Sequence, residues 1–483
     1  MLKRLFHHSL LYTLSGLLSQ GLSFLLLPLY TSVLLPADYG LLDYLTILGS
    51  LVAVSIALEI GQGVARFTPE ALHDQLAVQS IASTALWFTT ACYTTLLIVI
   101  LPNAQYFSVL LFGAIDHAAV IQAAVISFAL SGVANLVLNQ LRWELRVRQQ
   151  VLLSVWFSIT TIGLSALFML GLEWGVTGAF WARASGGALT IVVGLFLTRT
   201  SFGFIFDRRK LAMMLAFSVP LIPSSLGVVL ALYLDRLIIN ELLTLSDVGV
   251  FGIGARIASI ASLLVIGIQG ALTPLLYASH ADPETPGRVA HVFRLFCGAS
   301  LIAFVSISAF SHLVIQFMTN QHYSGANQVV PILVLAVLCA QLYLFAPGLS
   351  LAKRTGLIAT INLFGAAINL GLNCLLIPLL GISGAALATL LASFLAFALQ
   401  MYFSQRLYPI AYCWRQPLCA LGASVGVVSI LHNLDFEGIT RITAGAVAVI
   451  CAIASVCITG LIGREDLVSV RSSLLSLLRG RQA

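Results

Sequence analysis

Apolar runs of membrane length, separated by short polar links, fill almost the whole chain. A transmembrane helix needs about 20 mainly apolar residues. On that measure the pattern predicts spans at 9–34, 41–66, 80–101, 119–141, 150–172 and 175–198, then at 211–239, 249–279, 291–316, 328–350, 355–379 and 382–405. Two more follow at 417–433 and 441–462, which makes about fourteen helices and leaves little chain for a soluble domain. The expected fold class is all-α, a polytopic membrane protein. The seventh span is broken by Pro220 and Pro223, and the first contains Pro28.

The second six spans read as a repeat of the first six. Ala37-Asp38-Tyr39-Gly40 and Ser246-Asp247-Val248-Gly249 each close one apolar run and open the next, 209 residues apart. Gly175-Val176-Thr177-Gly178-Ala179 and Gly381-Ile382-Ser383-Gly384-Ala385 open the sixth and twelfth spans at an offset of 206. Six is an even number, so both halves enter the membrane in the same direction, as a parallel repeat about an axis along the membrane normal. The expected organisation is a six-helix bundle over 1–205, a second over 206–410, and two further helices with a cytoplasmic tail over 411–483.

Composition agrees. The chain is 59% hydrophobic and 9% charged, against roughly 25% charged in a soluble domain. So few charges cannot cover a soluble surface. The net charge of +6 does not form the basic stripe of a nucleic-acid binder, because the charges collect in the links. With the N-terminus cytoplasmic, 20 of the 24 Lys and Arg residues fall at inside ends and links. Both termini are then cytoplasmic, and Lys3 and Arg4 flank a retained first helix rather than a cleaved signal. The eight cysteines show no Cys-x-x-Cys spacing and read as small apolar packing residues.

Charges within apolar spans carry more information, since each costs about 2.5–3.5 kcal/mol even on the lenient insertion scale. Arg183 and Arg256 lie about seven or eight residues into the sixth and eighth spans, ~10–12 Å from the outer edge at 1.5 Å per residue. By the repeat offsets their counterparts are Thr389 and Ile47, so each arginine occurs in one half only. A guanidinium suits bidentate phosphate oxygens in a partly dry cavity. Glu59 lies in the inner third of the second span, with Arg66 at its cytoplasmic end. Arg66 can equally snorkel to the surface as a topology signal. Asp235 and Arg236, near the outer end of the seventh span, can equally be a local pair.

Polar stripes add a second set of candidates. Ser127, Ser131, Asn135 and Asn139 share a face of the fourth span, Asn362, Asn369 and Asn373 a face of the eleventh, and Ser15, Ser19 and Ser23 a face of the first. Each stripe faces either a partner helix or a water-filled cavity, and the pattern alone leaves both open. Gly178, Ala182 and Gly186 read as a close-packing seam. No Gly-rich phosphate loop, catalytic carboxylate pair, His cluster or Ser/His/Asp set is readable, so neither ATP hydrolysis nor an enzyme is expected.

In several places the residues resemble a known family. Pro28-Leu29-Tyr30 precedes Leu35-Pro36-Ala37-Asp38-Tyr39-Gly40, and Arg66-Phe67 closes the second span. In the second half stand Pro220-Leu221-Ile222-Pro223-Ser224, Asp235-Arg236 and Val248-Gly249-Val250-Phe251. In this order the motifs resemble the polysaccharide transporters of the multidrug/oligosaccharidyl-lipid/polysaccharide (MOP) exporter superfamily, in particular Wzx-type O-antigen and exopolysaccharide flippases. The resemblance implies two six-helix bundles around a cationic cavity, with two extra C-terminal helices. It also implies movement of an undecaprenyl-pyrophosphate-linked oligosaccharide from the inner to the outer leaflet of a bacterial cytoplasmic membrane. Arg256 stands where the related lipid II flippases also carry a basic residue. Ser15, Ser19 and Gln20 replace the charge those flippases carry in the first helix, which favours an oligosaccharide cargo.

The resulting expectation is alternating access. Arg66 would meet the head group at the inner mouth, and Arg183 and Arg256 would receive its charge further out. Asn135 and Asn369 would solvate the sugar, while Glu59, Asp235 and Arg236 would serve coupling or gating. No metal or cofactor is expected; proton or sodium coupling stays open, with Glu59 or Asp235 as the carrier. Expected partners are the lipid-linked glycan, the bilayer, and polymerase and chain-length components of the same pathway. One rival is a drug or small-cation exporter on the same fold, whose site should be acidic and aromatic. A membrane glycan polymerase or ligase is the other, and it should carry a large outside loop with catalytic residues.

Overall fold

The computed structural model describes residues 24–265, 282–352, 354–434 and 438–463, with single positions at 21, 269, 272 and 276. All regular structure among them is helical. The first half contains α1 (Phe24–Val33), α2 (Pro36–Ile56), α3 (Ile60–Phe67), α4 (Gln75–Ile100), α5 (Ala104–Phe112), α6 (Ala118–Trp143), α7 (Val147–Ala166) and α8 (Gly175–Leu197). Then come α9 (Arg208–Ser218), α10 (Ile222–Leu242), α11 (Leu245–Ala258), α12 (Thr285–Met318) and α13 (Ala326–Ala340). The chain continues through α14 (Thr355–Leu380), α15 (Ile382–Leu407), α16 (Arg415–Asn433) and α17 (Gly438–Ile458).

Twelve helices among the described residues are long and apolar enough to cross a membrane. The two other expected spans differ from these. The first, 9–34, is described only from its C-terminal part, where α1 is a short apolar helix. The thirteenth, 417–433, is present as α16 but is not among the twelve, because Arg415, Gln416, His432 and Asn433 dilute its two ends. The eighth, 249–279, is helical over Leu245–Val265, and most of its remaining residues lie outside the described ones.

Local chemistry explains where several helices begin. Asp74 and Asp207 cap α4 and α9, each carboxylate accepting from two backbone N–H groups of the first turn. Pro36 stands in the first turn of α2, where its missing N–H costs nothing. Between α9 and α10 a tight turn over Val219–Leu221 surrounds Pro220, so the prolines break the seventh span as the sequence implied.

Inside a bilayer, lipid tails are as apolar as leucine, so close backbone approach rather than burial holds helices together. The Gly178–Gly186 seam of α8 works in this way. A Cβ at Gly178 would meet the Phe168 carbonyl at 3.1 Å, and one at Gly186 the Thr161 hydroxyl at 2.7 Å. Ala182 between them is fully buried. Leu152, Ile159, Val192 and Phe196 are exposed on the outer faces of α7 and α8, as lipid-facing residues should be.

The tightest approach joins the two turns that the repeat pairs. A Cβ at Gly40 would lie 1.8 Å from the Leu245 carbonyl oxygen, and one at Gly249 would lie 2.0 Å from the Pro36 carbonyl oxygen. Leu245 is Pro36 shifted by the same 209 residues that separate Gly249 from Gly40. The N-terminal turns of α2 and α11 therefore cross with each glycine on the other's backbone, a two-fold exchange that only residues without a side chain permit.

The chain divides into two compact units, residues 1–249 with 318–322, and residues 250–317 with 323–483. The first has a core where α3, α4, α6 and α9 converge on Ile60, Val64, Ala85, Leu136 and Met214. Thr31 ties α1 to the 318–322 segment, its hydroxyl donating to the Met318 carbonyl at 2.7 Å and its carbonyl accepting from the Asn320 amide at 2.8 Å. In the second unit, Phe293, Phe345, Tyr412 and Trp414 form an aromatic cluster, and the Tyr412 hydroxyl donates to the Phe345 carbonyl at 2.6 Å.

Candidate functional site

The second span is not one helix. It stops at Ile56 and resumes at Ile60, and the intervening Leu58 and Glu59 both have left-handed backbone, with φ of 50° and 53°. Each such non-glycine residue costs about 1–3 kcal/mol and persists where the surroundings impose it. Here the surroundings are visible. The Ser218 hydroxyl from α9 donates to the freed Leu58 carbonyl at 2.8 Å, and Gly63 of α3 packs directly on the backbone of Met214. Nothing in Ala57-Leu58-Glu59-Ile60 signals a break, so a continuous 41–66 helix was expected. The break turns Glu59 out of the helix and into a cavity.

That cavity, of about 680 Å³, lies within the first unit between α2–α3, α4 and α6. Glu59, Gln62, Asn135 and Asn139 bring polar groups to it, and Tyr93 and Trp143 bring aromatic rings. Asn135 and Asn139 make no side-chain hydrogen bond among the described residues, and Asn135 is exposed. Thr89 also lines the cavity, 3% exposed, with its hydroxyl buried and unpartnered. Arg142 joins Trp143 at the α6 end. Glu59 and Asn135, singled out separately in the sequence, are thus brought together. Gln62, Thr89 and Tyr93 were missed because only folding places α3 and α4 beside the α6 stripe; Trp143 was missed although it continues that stripe at the same four-residue spacing.

The asparagine stripe of α14, in the second unit, is differently employed. Asn373 donates to the backbone and side-chain oxygens of Asn369 at 2.9 and 3.0 Å, and Asn369 reaches Thr389 of α15. Asn362 accepts from Gln400 of α15 at 2.8 Å. Asn369 and Asn373 are buried. Asn362 and Asn369 join α14 to α15, and Asn373 braces Asn369 within α14, which resolves that stripe toward the partner-helix alternative.

The intramembrane charges also separate. Arg236 of α10 meets Asp43 of α2 at 2.8 Å, without the alignment of a hydrogen bond, and lies over the Tyr233 ring. Asp43 was passed over in the sequence; the available signal was a lone carboxylate in an apolar run. Asp235 is buried and engaged by neighbouring groups. Arg183 of α8 is half-buried and has neither an ion pair nor a hydrogen bond among the described residues. Tyr30 and Tyr233 lie near it. Arg66 is exposed at the end of α3, paired with Glu70 one turn on. Arg256 belongs to the second unit, half-buried and not free of partners.

A family profile described as "polysaccharide biosynthesis protein" matches residues 5–280, more than half of the chain. The chain belongs to that family. Curated proteins returned no match. Among solved structures, an inward-facing multidrug-resistance MATE family transporter of the MOP superfamily aligns at a TM-score of 0.64, with 16% identity over 82% of this chain and 94% of that one. A MATE transporter of Vibrio cholerae aligns at 0.57, with 17% identity over 84% and 96%. A MOP superfamily transporter from Pyrococcus furiosus, whose binding pocket is described as of reverse polarity and suggestive of a different function, aligns at 0.57, with 16% identity over 83% and 95%. These likenesses establish the MOP transporter fold for this family member, and with the twelve apolar helices they make it a multi-pass membrane protein.

Proposed function

We propose that the protein is a flippase, moving an undecaprenyl-pyrophosphate-linked oligosaccharide from the inner to the outer leaflet of the bacterial cytoplasmic membrane. The product would feed O-antigen, exopolysaccharide or capsule synthesis. The observation that carries this reading is Arg183, a guanidinium within an apolar helix that no carboxylate neutralises among the described residues. A cation kept in hydrocarbon at a cost of about 2.5–3.5 kcal/mol needs an anion to justify it, and the family's pathway supplies a diphosphate on a lipid.

The chemistry follows from the side chains. The planar guanidinium offers two parallel N–H donors to a pair of phosphate oxygens. Tyr30 and Tyr233 lie near Arg183, and as neutral phenols they add no negative charge to compete with an anion. Arg236, by contrast, is already paired with the Asp43 carboxylate. Exposing Arg183 alternately to the two faces moves the head group, while the polyprenyl tail stays in lipid. Arg66 and Arg256 are further contacts in this scheme. Glu59, which has no cationic partner among the described residues, is the carrier for a coupling proton or sodium ion. Polymerase and chain-length components would receive the flipped glycan outside, and both termini would be cytoplasmic.

The test is replacement of the chromosomal copy by Arg183→Gln. Surface polysaccharide should disappear while the protein stays in the membrane at its normal level; unchanged polysaccharide would refute the role. One observation favours a cationic-drug exporter instead: Glu59 shares its cavity with Tyr93 and Trp143. That reading requires lower inhibitory concentrations of lipophilic cations in a deletion strain, whereas the flippase reading requires no change.

A further inference from the structure

We propose that the cavity between α2–α3, α4 and α6 is a sugar subsite. It would hold an uncharged ring of the glycan, with Trp143 or Tyr93 against its C–H face and Asn135, Asn139 and Thr89 on its hydroxyl or acetamido groups. The inference rests on the flippase reading and assigns the glycan a place separate from the phosphate-binding arginine.

Three independent features lead here. A buried hydroxyl without a partner costs about 1–3 kcal/mol, and Thr89, one of the lining residues, carries such a hydroxyl. Native proteins leave few groups in that condition unless a water or ligand completes them. Asn135 and Asn139 stand one turn apart on the same wall, with every donor and acceptor of both amides unoccupied by protein among the described residues. The second unit provides a control within the same molecule. There Asn362 and Asn369 show what asparagines do when their task is to join helices, and Asn135 and Asn139 do not do it.

The third feature is the balance of the lining. The lining holds one carboxylate, Glu59, and one guanidinium, Arg142, so it carries no excess of either charge. An anion site would carry an excess of cations, and a site for lipophilic cations would be apolar and acidic. Amides beside aromatic faces match a sugar, whose ring has hydroxyls at its edge and C–H groups on its faces. The volume falls within the about 300–1,000 Å³ of small-molecule sites, which leaves room for more than one ring.

Saturation-transfer NMR on the full chain in lipid nanodiscs tests this, because a maltoside detergent would present a sugar of its own. The probes are chitobiose, maltose, inorganic pyrophosphate and the lipophilic cation tetraphenylphosphonium. At least one disaccharide should receive saturation on its ring C–H protons. The Asn135→Ala/Asn139→Ala double variant should weaken that binding at least tenfold, and Trp143→Leu should reduce transfer to one ring face. Thr89→Val, nearly isosteric, should weaken it severalfold with no change in helix content. Pyrophosphate binding should be unchanged in these variants and lost in Arg183→Gln. The subsite is overturned if neither disaccharide binds, if the amide variant binds as tightly as the parent, or if only tetraphenylphosphonium binds and Glu59→Gln abolishes it. Intact sugar binding with a dispensable Arg183 would sink the phosphate reading alone; lost surface polysaccharide in Arg183→Gln with no sugar binding would sink the subsite alone.

Discussion

The crossing of Gly40 and Gly249 is the most exacting feature of the fold to perturb. Ordinary van der Waals contact of a Cβ begins near 3.4 Å, and the two sites offer 1.8 and 2.0 Å against carbonyl oxygens. Gly40→Ala therefore requires the two turns to part by about 1.6 Å, and Gly249→Ala by about 1.4 Å, with backbone on the receiving side in both cases. Overpacking of this kind costs about 1–3 kcal/mol, and the absence of a flexible side chain to yield puts these at the upper end. The two overlaps lie at one crossing, so a single separation relieves both. The double variant should accordingly be less destabilised than the sum of the singles, by an interaction energy on the order of 1–3 kcal/mol.

Heat unfolding of a large membrane protein is governed by a rate, so the measurement is the half-life of the purified protein at one fixed temperature. Each tenfold loss of half-life corresponds to about 1.4 kcal/mol taken from the unfolding barrier. The expectation is a drop of tenfold or more for each single variant and little further loss for the double. Additive effects within about 0.5 kcal/mol, or a single variant as long-lived as the parent, would refute the reasoning. The same result would test the repeat, because only a two-fold exchange makes the two substitutions share one relief.

Four further outcomes are expected. Arg183→Lys keeps the charge but loses the fork, so surface polysaccharide should fall between the parent and Arg183→Gln when measured on whole cells. Asp43→Asn and Arg236→Gln should each shorten the half-life, while the double variant recovers most of it, since a partly buried charge is costly chiefly when its partner is gone; no recovery would show the pair to be incidental. Asn362→Ala should cost about 0.6–1.7 kcal/mol, the range for interhelical hydrogen bonds in membranes, because it removes the acceptor of Gln400 of α15, and leave surface polysaccharide intact. Glu59→Gln in proteoliposomes should retain substrate binding but lose its response to an imposed proton or sodium gradient; a preserved response would remove Glu59 as the carrier.

Much of this architecture was legible along the chain because lipid makes strict demands. A backbone in hydrocarbon must satisfy itself within each segment, so apolar length alone marks the helices. Pro220 announces the interruption between α9 and α10, because proline has no N–H to give. The two turns stood out as an echo 209 residues apart, but that Gly40 and Gly249 cross on each other's backbone emerged only in the fold. By contrast, the break at Leu58 and Glu59 is written in no local residue. Its cause is the Ser218 hydroxyl and the packing of α9 on α3, more than 150 positions away in sequence.

Side-chain roles divided in the same manner. The sequence determined that asparagines would line one face of α6 and one face of α14, because helical period is a local property. Only the tertiary structure decided that the first face opens on a cavity and the second is consumed by α15. Likewise it decided that Arg236 finds Asp43 while Arg183 finds no carboxylate among the described residues. A charge or amide in a membrane has a fixed cost but no fixed partner; which group answers it depends on the neighbouring helix, and that neighbour is chosen by folding.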